Sequence, residues 1–128
     1  MEPLASLLSA SFSSAWSPAP AVTSLALNNE RIVMEVDWVT PDGSSGQAGA
    51  VGLTNDSGYF WFFVPTNVEL VVKALDGRGT NGHFWVFFGA LTDVQYRIKA
   101  TDTQTGAVRY YYGQQGQQKS GYDLYAFE

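Results

Sequence analysis

The chain has 128 residues, twelve Asp or Glu against seven Lys or Arg, one His and no Cys, for a net charge of −5. The missing cysteines exclude disulfides, thiol catalysis, iron–sulfur clusters and Cys-based zinc sites. A single His excludes a His-rich metal centre, and no basic patch exists to neutralise phosphates, so no nucleic-acid partner is expected.

Apolar residues make up 45% of the chain, which argues against wholesale disorder, and the length suffices for one buried core. Charged residues are only 15%, aromatics are also 15%, and there are 13 glycines. This low-charge, Ser/Thr/Gly/Tyr-rich composition suits an extracellular or cell-surface protein. No apolar run reaches the roughly 18 residues of a membrane-spanning helix.

Residues 1–20 form a distinct segment, rich in Ser, Ala and Leu and ending in Ser17-Pro18-Ala19-Pro20. It has a faint likeness to a secretory signal. Glu2, however, stands where a positive region belongs, and the first basic residue is Arg31. The segment reads as a structural arm. Leu4, Leu8, Phe12 and Trp16 recur every four residues, which suits a short amphipathic helix starting near Pro3. The same even-numbered positions also share one face of an extended strand. Six serines between 6 and 17 weaken the helix. In either conformation the stripe is apolar and must cover something.

Strands and turns follow. Over residues 31–38, Ile32, Met34, Val36 and Trp38 share one face while Arg31, Glu35 and Asp37 share the other, the pattern of a half-buried strand. Pro41-Asp42-Gly43 is a turn. Residues 47–54 form a weaker, glycine-interrupted strand. Further strands are expected over 59–64, 68–75, 83–88, 94–101, 107–112 and 122–127, with the longest glycine-punctuated loop at 76–82. A Gln/Gly-rich loop spans 113–121. Eight or nine short strands at this spacing predict an all-β, antiparallel two-sheet β-sandwich over 21–128, preceded by the arm at 1–20. An internal repeat is present. Residues 58–63 (GYFWFF) echo 82–87 (GHFWVF), and 67–76 echo 93–102, as if one hairpin had been duplicated.

The strings NNERIVMEVDW, LTNDSGYFWFF, NVELVVKALDG, NGHFWVFFGALTDVQY and TDTQTGAV resemble a domain at the carboxy-terminal end of many predicted secreted bacterial proteins. The similarity covers about residues 21–112. It implies an extracellular β-sandwich, an appended module without an assigned enzymatic activity. Members of that family commonly carry a cysteine where this chain has Leu25-Ala26-Leu27, so here the segment before residue 28 cannot be tied covalently.

Catalysis has little support. His83 lies inside an aromatic strand, no Ser sits in a nucleophile elbow, and the aspartates are scattered, mostly in turns. No cofactor is expected. Calcium needs six to eight oxygens, and Asp56, Asp76, Asn81, Asp93 and Asp102 are the available candidates, although no EF-hand spacing is present.

The aromatic strands carry the most information. Tyr59, Trp61 and Phe63 alternate with Phe60, Phe62 and Val64, and His83, Trp85 and Phe87 alternate with Phe84, Val86 and Phe88, so both faces are apolar. One face belongs to the core. The other is covered by a loop or the arm, or meets a partner. Tyr59, Trp61, Phe63, Trp85 and Phe87, with Leu4, Leu8, Phe12 and Trp16 of the arm, are the candidate partner-binding residues. The expected function is non-catalytic self-association, with the arm joining copies into an oligomer or filament. The alternative is a carbohydrate- or surface-binding module using Trp61, Trp85, Tyr59, Tyr110 to Tyr112 and the Gln114 to Gln118 loop.

Overall fold

The structure is a computed structural model and describes residues 20–128. Ten strands build two antiparallel five-stranded sheets that pack face to face. Sheet I holds β1 (Ser24–Leu27), β2 (Ile32–Val39), β8 (Gln95–Asp102) and β9 (Val108–Gly113) in that order, with β3 (Ser45–Gln47) beside β2. Sheet II runs β10 (Ser120–Phe127), β7 (His83–Ala90), β6 (Leu70–Gly77), β5 (Ser57–Trp61) and β4 (Gly49–Thr54). One helical turn, α1 (Arg78–Asn81), links β6 to β7 and ends at Gly82, whose left-handed φ of 85° only glycine adopts freely. Among the described residues no helix is long and apolar enough to cross a membrane.

Alternation sets the core. Ile32, Met34 and Val36 of β2 face Phe60, Val72, Ala74, Phe84 and Val86 of sheet II, and all are buried. The intervening side chains face outward.

Two sequence expectations change. The strand read over 47–54 breaks at buried Ala48. Its first part pairs with β2 and its second with β5, so the chain changes sheet there. The repeat is a hairpin only once. β5 and β6 pair directly, but β7 lies in sheet II and β8 in sheet I. Both edges of β7 are taken, by β6 and β10, so β8 has no place in that sheet and crosses over.

One end of the sandwich is clamped. Asn28 donates its N–H to Asn55 O (2.7 Å) and its side-chain amide to Ala74 O (3.2 Å), tying the β1–β2 turn to sheet II. Arg31 makes two hydrogen bonds to Asp102 (2.6 and 3.0 Å) and one to Glu128 O (2.8 Å). The guanidinium carbons of Arg31 and Arg78 each lie 4.6 Å from the Phe84 ring centroid. At the opposite end Trp38 packs edge-on against Phe63, centroids 4.8 Å apart. There Trp38 Nε1, Glu69 Oε2 and Tyr96 OH are buried without a hydrogen-bond partner among the described residues.

Candidate functional site

The outer face of sheet II gathers most of the predicted aromatic residues. Register places Tyr59 beside Val71, and Lys73 beside Phe87 and then Tyr122. Tyr59, Trp61, Val71, Leu75, Trp85, Phe87 and Tyr122 thus share one surface, with Lys73 at its centre. The Lys73 ammonium lies 5.5 Å from the Phe87 centroid, so even this charge rests on an aromatic ring. Phe87 and Tyr122 stack at 6.4 Å and 29°. Between Val71 and Ser120, Gly89 leaves a shallow dimple with Phe87 and Tyr122 as its wall.

Glycines hold the two tryptophans flat. A Cβ on Gly49 would fall 2.1 Å from the Trp61 indole, and one on Gly77 would fall 2.1 Å from that of Trp85. Each indole therefore lies across a glycine of the neighbouring strand. Trp85 is also anchored by a hydrogen bond from Nε1 to Asn81 Oδ1 (2.9 Å). Phe63 departs from the expectation. β5 ends at Trp61, and Phe63 turns to the sandwich end beside Trp38. Leu4, Leu8, Phe12 and Trp16 lie outside the described residues.

The chain matches no protein-family model, no curated protein and no solved structure.

The five calcium candidates are not brought together. Asp56 accepts from the side-chain amides of Asn28 (3.4 Å) and Asn55 (3.2 Å). Asp76 forms a two-point pair with Arg78 (2.9 Å each), which holds its carboxyl down at about 2. Asn81 spends its oxygen on Trp85 Nε1 and the His83 N–H, and its amide on Leu124 O (2.8 Å). Asp93 sits in the β7–β8 connection, where its carbonyl accepts from Gly116. Asp102, 1% exposed, is held by Arg31 and caps Gln104 N, and the Arg31 hydrogen bonds keep its carboxyl well below the usual range. Among the described residues no three acidic or His side chains converge as a metal set would. His83 places Nδ1 3.1 Å from Asn81 O and packs edge-on against Tyr125.

The outer face of sheet I has different chemistry. Register gives two rows, Asp37–Arg97–Tyr112 and Glu35–Lys99–Tyr110. Arg97 donates to Asp37 (2.8 Å), and its guanidinium lies 5.0 Å from the Tyr110 centroid. Tyr111, between the two tyrosines, points inward and donates to Asp123 (2.8 Å); burial, then Asp123, pushes its phenol upward. The sequence put Tyr59, Trp61, Trp85 and the tyrosines of 110–112 in one group, and the fold divides them between opposite surfaces. Tyr122 was missed because nothing local shows that β10 lies beside β7.

Proposed function

We propose that this domain is a non-catalytic, extracellular structural module that self-associates, with residues 1–19 of one copy covering the outer face of sheet II of another. The observation that carries this is the composition of that face: two Trp, two Tyr, a Phe, a Val and a Leu around one Lys. Contiguous apolar surface of this kind marks interaction sites on soluble proteins. The arm supplies matching chemistry in Leu4, Leu8, Phe12 and Trp16. Its point of attachment also fits. Val22 O accepts from Ala50 N (3.0 Å), so the chain enters along β4, the edge of this same sheet. Pro18 and Pro20 have no N–H with which to extend that pairing along β4. A contact of this head-to-tail kind does not close on itself and builds chains. The low charge content and the resemblance of the strand motifs to secreted proteins support an extracellular setting.

Light scattering on the full chain, on a form lacking residues 1–19 and on Val71→Lys tests this. Particles much larger than 14.0 kDa are expected for the full chain, and monomers for both variants. A full chain that runs as a 14.0 kDa monomer would sink the proposal, as would oligomers that survive both changes.

A further inference from the structure

We infer that the outer face of sheet I is a second, independent binding site, for a neutral polysaccharide. It lies on the opposite side of the sandwich from the assembly face and does not rest on it.

Tyr110 and Tyr112 stand on β9, the edge strand of sheet I, and are 45% and 60% exposed. Their ring planes are within 28° of parallel, with centroids 6.5 Å apart, and the Arg97 guanidinium lies over the Tyr110 ring. Tyr112 leaves most of its surface to solvent, so burial gives it small reason to be aromatic. The exposed Tyr112 ring is, however, a surface on which the C–H face of a sugar ring can lie. Beside it is a groove of about 570 Å³, lined by Asp37, Arg97, Gln95, Gln114 and Gln115 with Tyr112 as its wall. That volume is in the range of small-ligand sites. Its polar groups are planar and complementary. Arg97 offers several fixed donors, Asp37 offers acceptors, and each Gln offers both. Sugar hydroxyls, which donate and accept at once, are matched by such a set.

Charge decides the ligand class. The two rows pair Asp37 with Arg97 and Glu35 with Lys99, so the face is balanced. Arg97 is already engaged by Asp37 at 2.8 Å, and the pair is surface-exposed, where it adds little to stability. The two rows carry no net charge, so neither an acidic nor a basic polymer gains a net attraction from them. A neutral, hydroxyl-rich chain loses nothing on either count. The sheet II face lacks this set of donors and acceptors, and its tryptophans are held flat against glycines.

Affinity electrophoresis of the full chain in gels containing hydroxyethyl cellulose, galactomannan, xyloglucan or dextran tests the inference, with polygalacturonate as the acidic control. Retardation is expected with at least one neutral polymer. Tyr112→Ala and Arg97→Leu should each weaken it at least tenfold, with circular dichroism unchanged, while Val71→Lys on sheet II leaves it intact. No retardation by any of the four neutral polymers would overturn the inference. So would retardation by polygalacturonate alone, or binding that survives Tyr112→Ala and is lost in Val71→Lys.

Discussion

Trp38 and Tyr96 stand directly opposite each other on β2 and β8, and each lies over a glycine of the strand on its far side. The row reads Gly46, Trp38, Tyr96, Gly113 across four strands. A Cβ on Gly46 would fall 2.6 Å from the Trp38 ring, and one on Gly113 would fall 2.0 Å from that of Tyr96. Phe88 over Gly121, Trp61 over Gly49 and Trp85 over Gly77 repeat the device in sheet II. A strand glycine usually weakens a sheet. Here the ring occupies the space of the missing side chain and restores the packing.

Gly113→Ala is therefore expected to lower stability by about 1–3 kcal/mol, the usual range for overpacking, although alanine restricts the unfolded chain more. Gly89→Ala is the control. Its Cβ would meet only Ser120 Oγ at 3.7 Å, an ordinary contact, so that variant should be neutral or slightly more stable. Urea denaturation of both checks this, and equal losses at the two positions would contradict it.

Arg31 is the partner of a buried carboxylate. Asp102 is 1% exposed, and Arg31 contacts both of its oxygens. Removing one member of such a pair leaves the other charge uncompensated, so Arg31→Met should cost about 3 kcal/mol at pH 7. The carboxyl of Asp102 is lowered by the Arg31 hydrogen bonds. Its contribution is thus present above the unfolded value of about 3.9 and is lost as pH falls. The difference between wild type and Arg31→Met should shrink between pH 5 and pH 3. A constant difference would show that Arg31 acts through its packing on Phe84 instead.

Glu69 has the opposite sign. It is 6% exposed, and burial raises its carboxyl above the ordinary value, against the lowering effect of Thr92 and Asn67. A group raised in the folded state favours folding below its unfolded value, and that advantage is lost as pH rises through the folded one. Glu69→Gln removes the titration. Its stability relative to wild type should improve as pH rises above the unfolded value of about 4.3 and level off once the folded-state value is passed, as thermal denaturation across a pH series would show. A flat difference would mean that the carboxylate finds a compensating partner.

The β1–β2 turn holds three consecutive residues in the left-handed region, Asn28, Asn29 and Glu30, at φ of 56°, 56° and 66°. Asparagine tolerates this conformation and glutamate does not. Glu30→Gly should accordingly raise stability by about 1 kcal/mol, whereas the same change at Glu35, in the middle of β2, should lower it. The denaturation midpoints of the two variants separate these outcomes.

Much of this architecture could be read from residue patterns. The alternation in 31–38 marks β2 and its inward face, and the inward parity of Phe60, Phe62, Phe84 and Val86 follows from the same rule. Turn glycines at 43, 82 and 106 carry positive φ as their neighbours suggest. What escaped was non-local. Gly49 and Gly77 look like interruptions until the strand bringing Trp61 or Trp85 over them is known. Likewise Tyr111 and Tyr112 are adjacent in sequence, but the first binds Asp123 between the sheets while the second faces outward. Only the pairing of distant strands turns composition into two surfaces of different chemistry.

Asn81 shows how a side chain with calcium-ligand chemistry can serve the fold. Its oxygen accepts from Trp85 Nε1 (2.9 Å) and the His83 N–H (3.2 Å), and its amide donates to Leu124 O (2.8 Å), so one side chain joins α1, β7 and β10. Asn81→Ala leaves the indole N–H, a backbone N–H and a carbonyl short of partners, and should cost about 2 kcal/mol. Asn81→Asp keeps the acceptor and should recover part of that loss. Both lone-pair positions of the amide oxygen are already in use. Millimolar calcium should therefore leave the thermal midpoint of the wild type unchanged. A calcium-dependent rise that disappears in Asn81→Ala would show instead that this oxygen exchanges its protein donors for a cation.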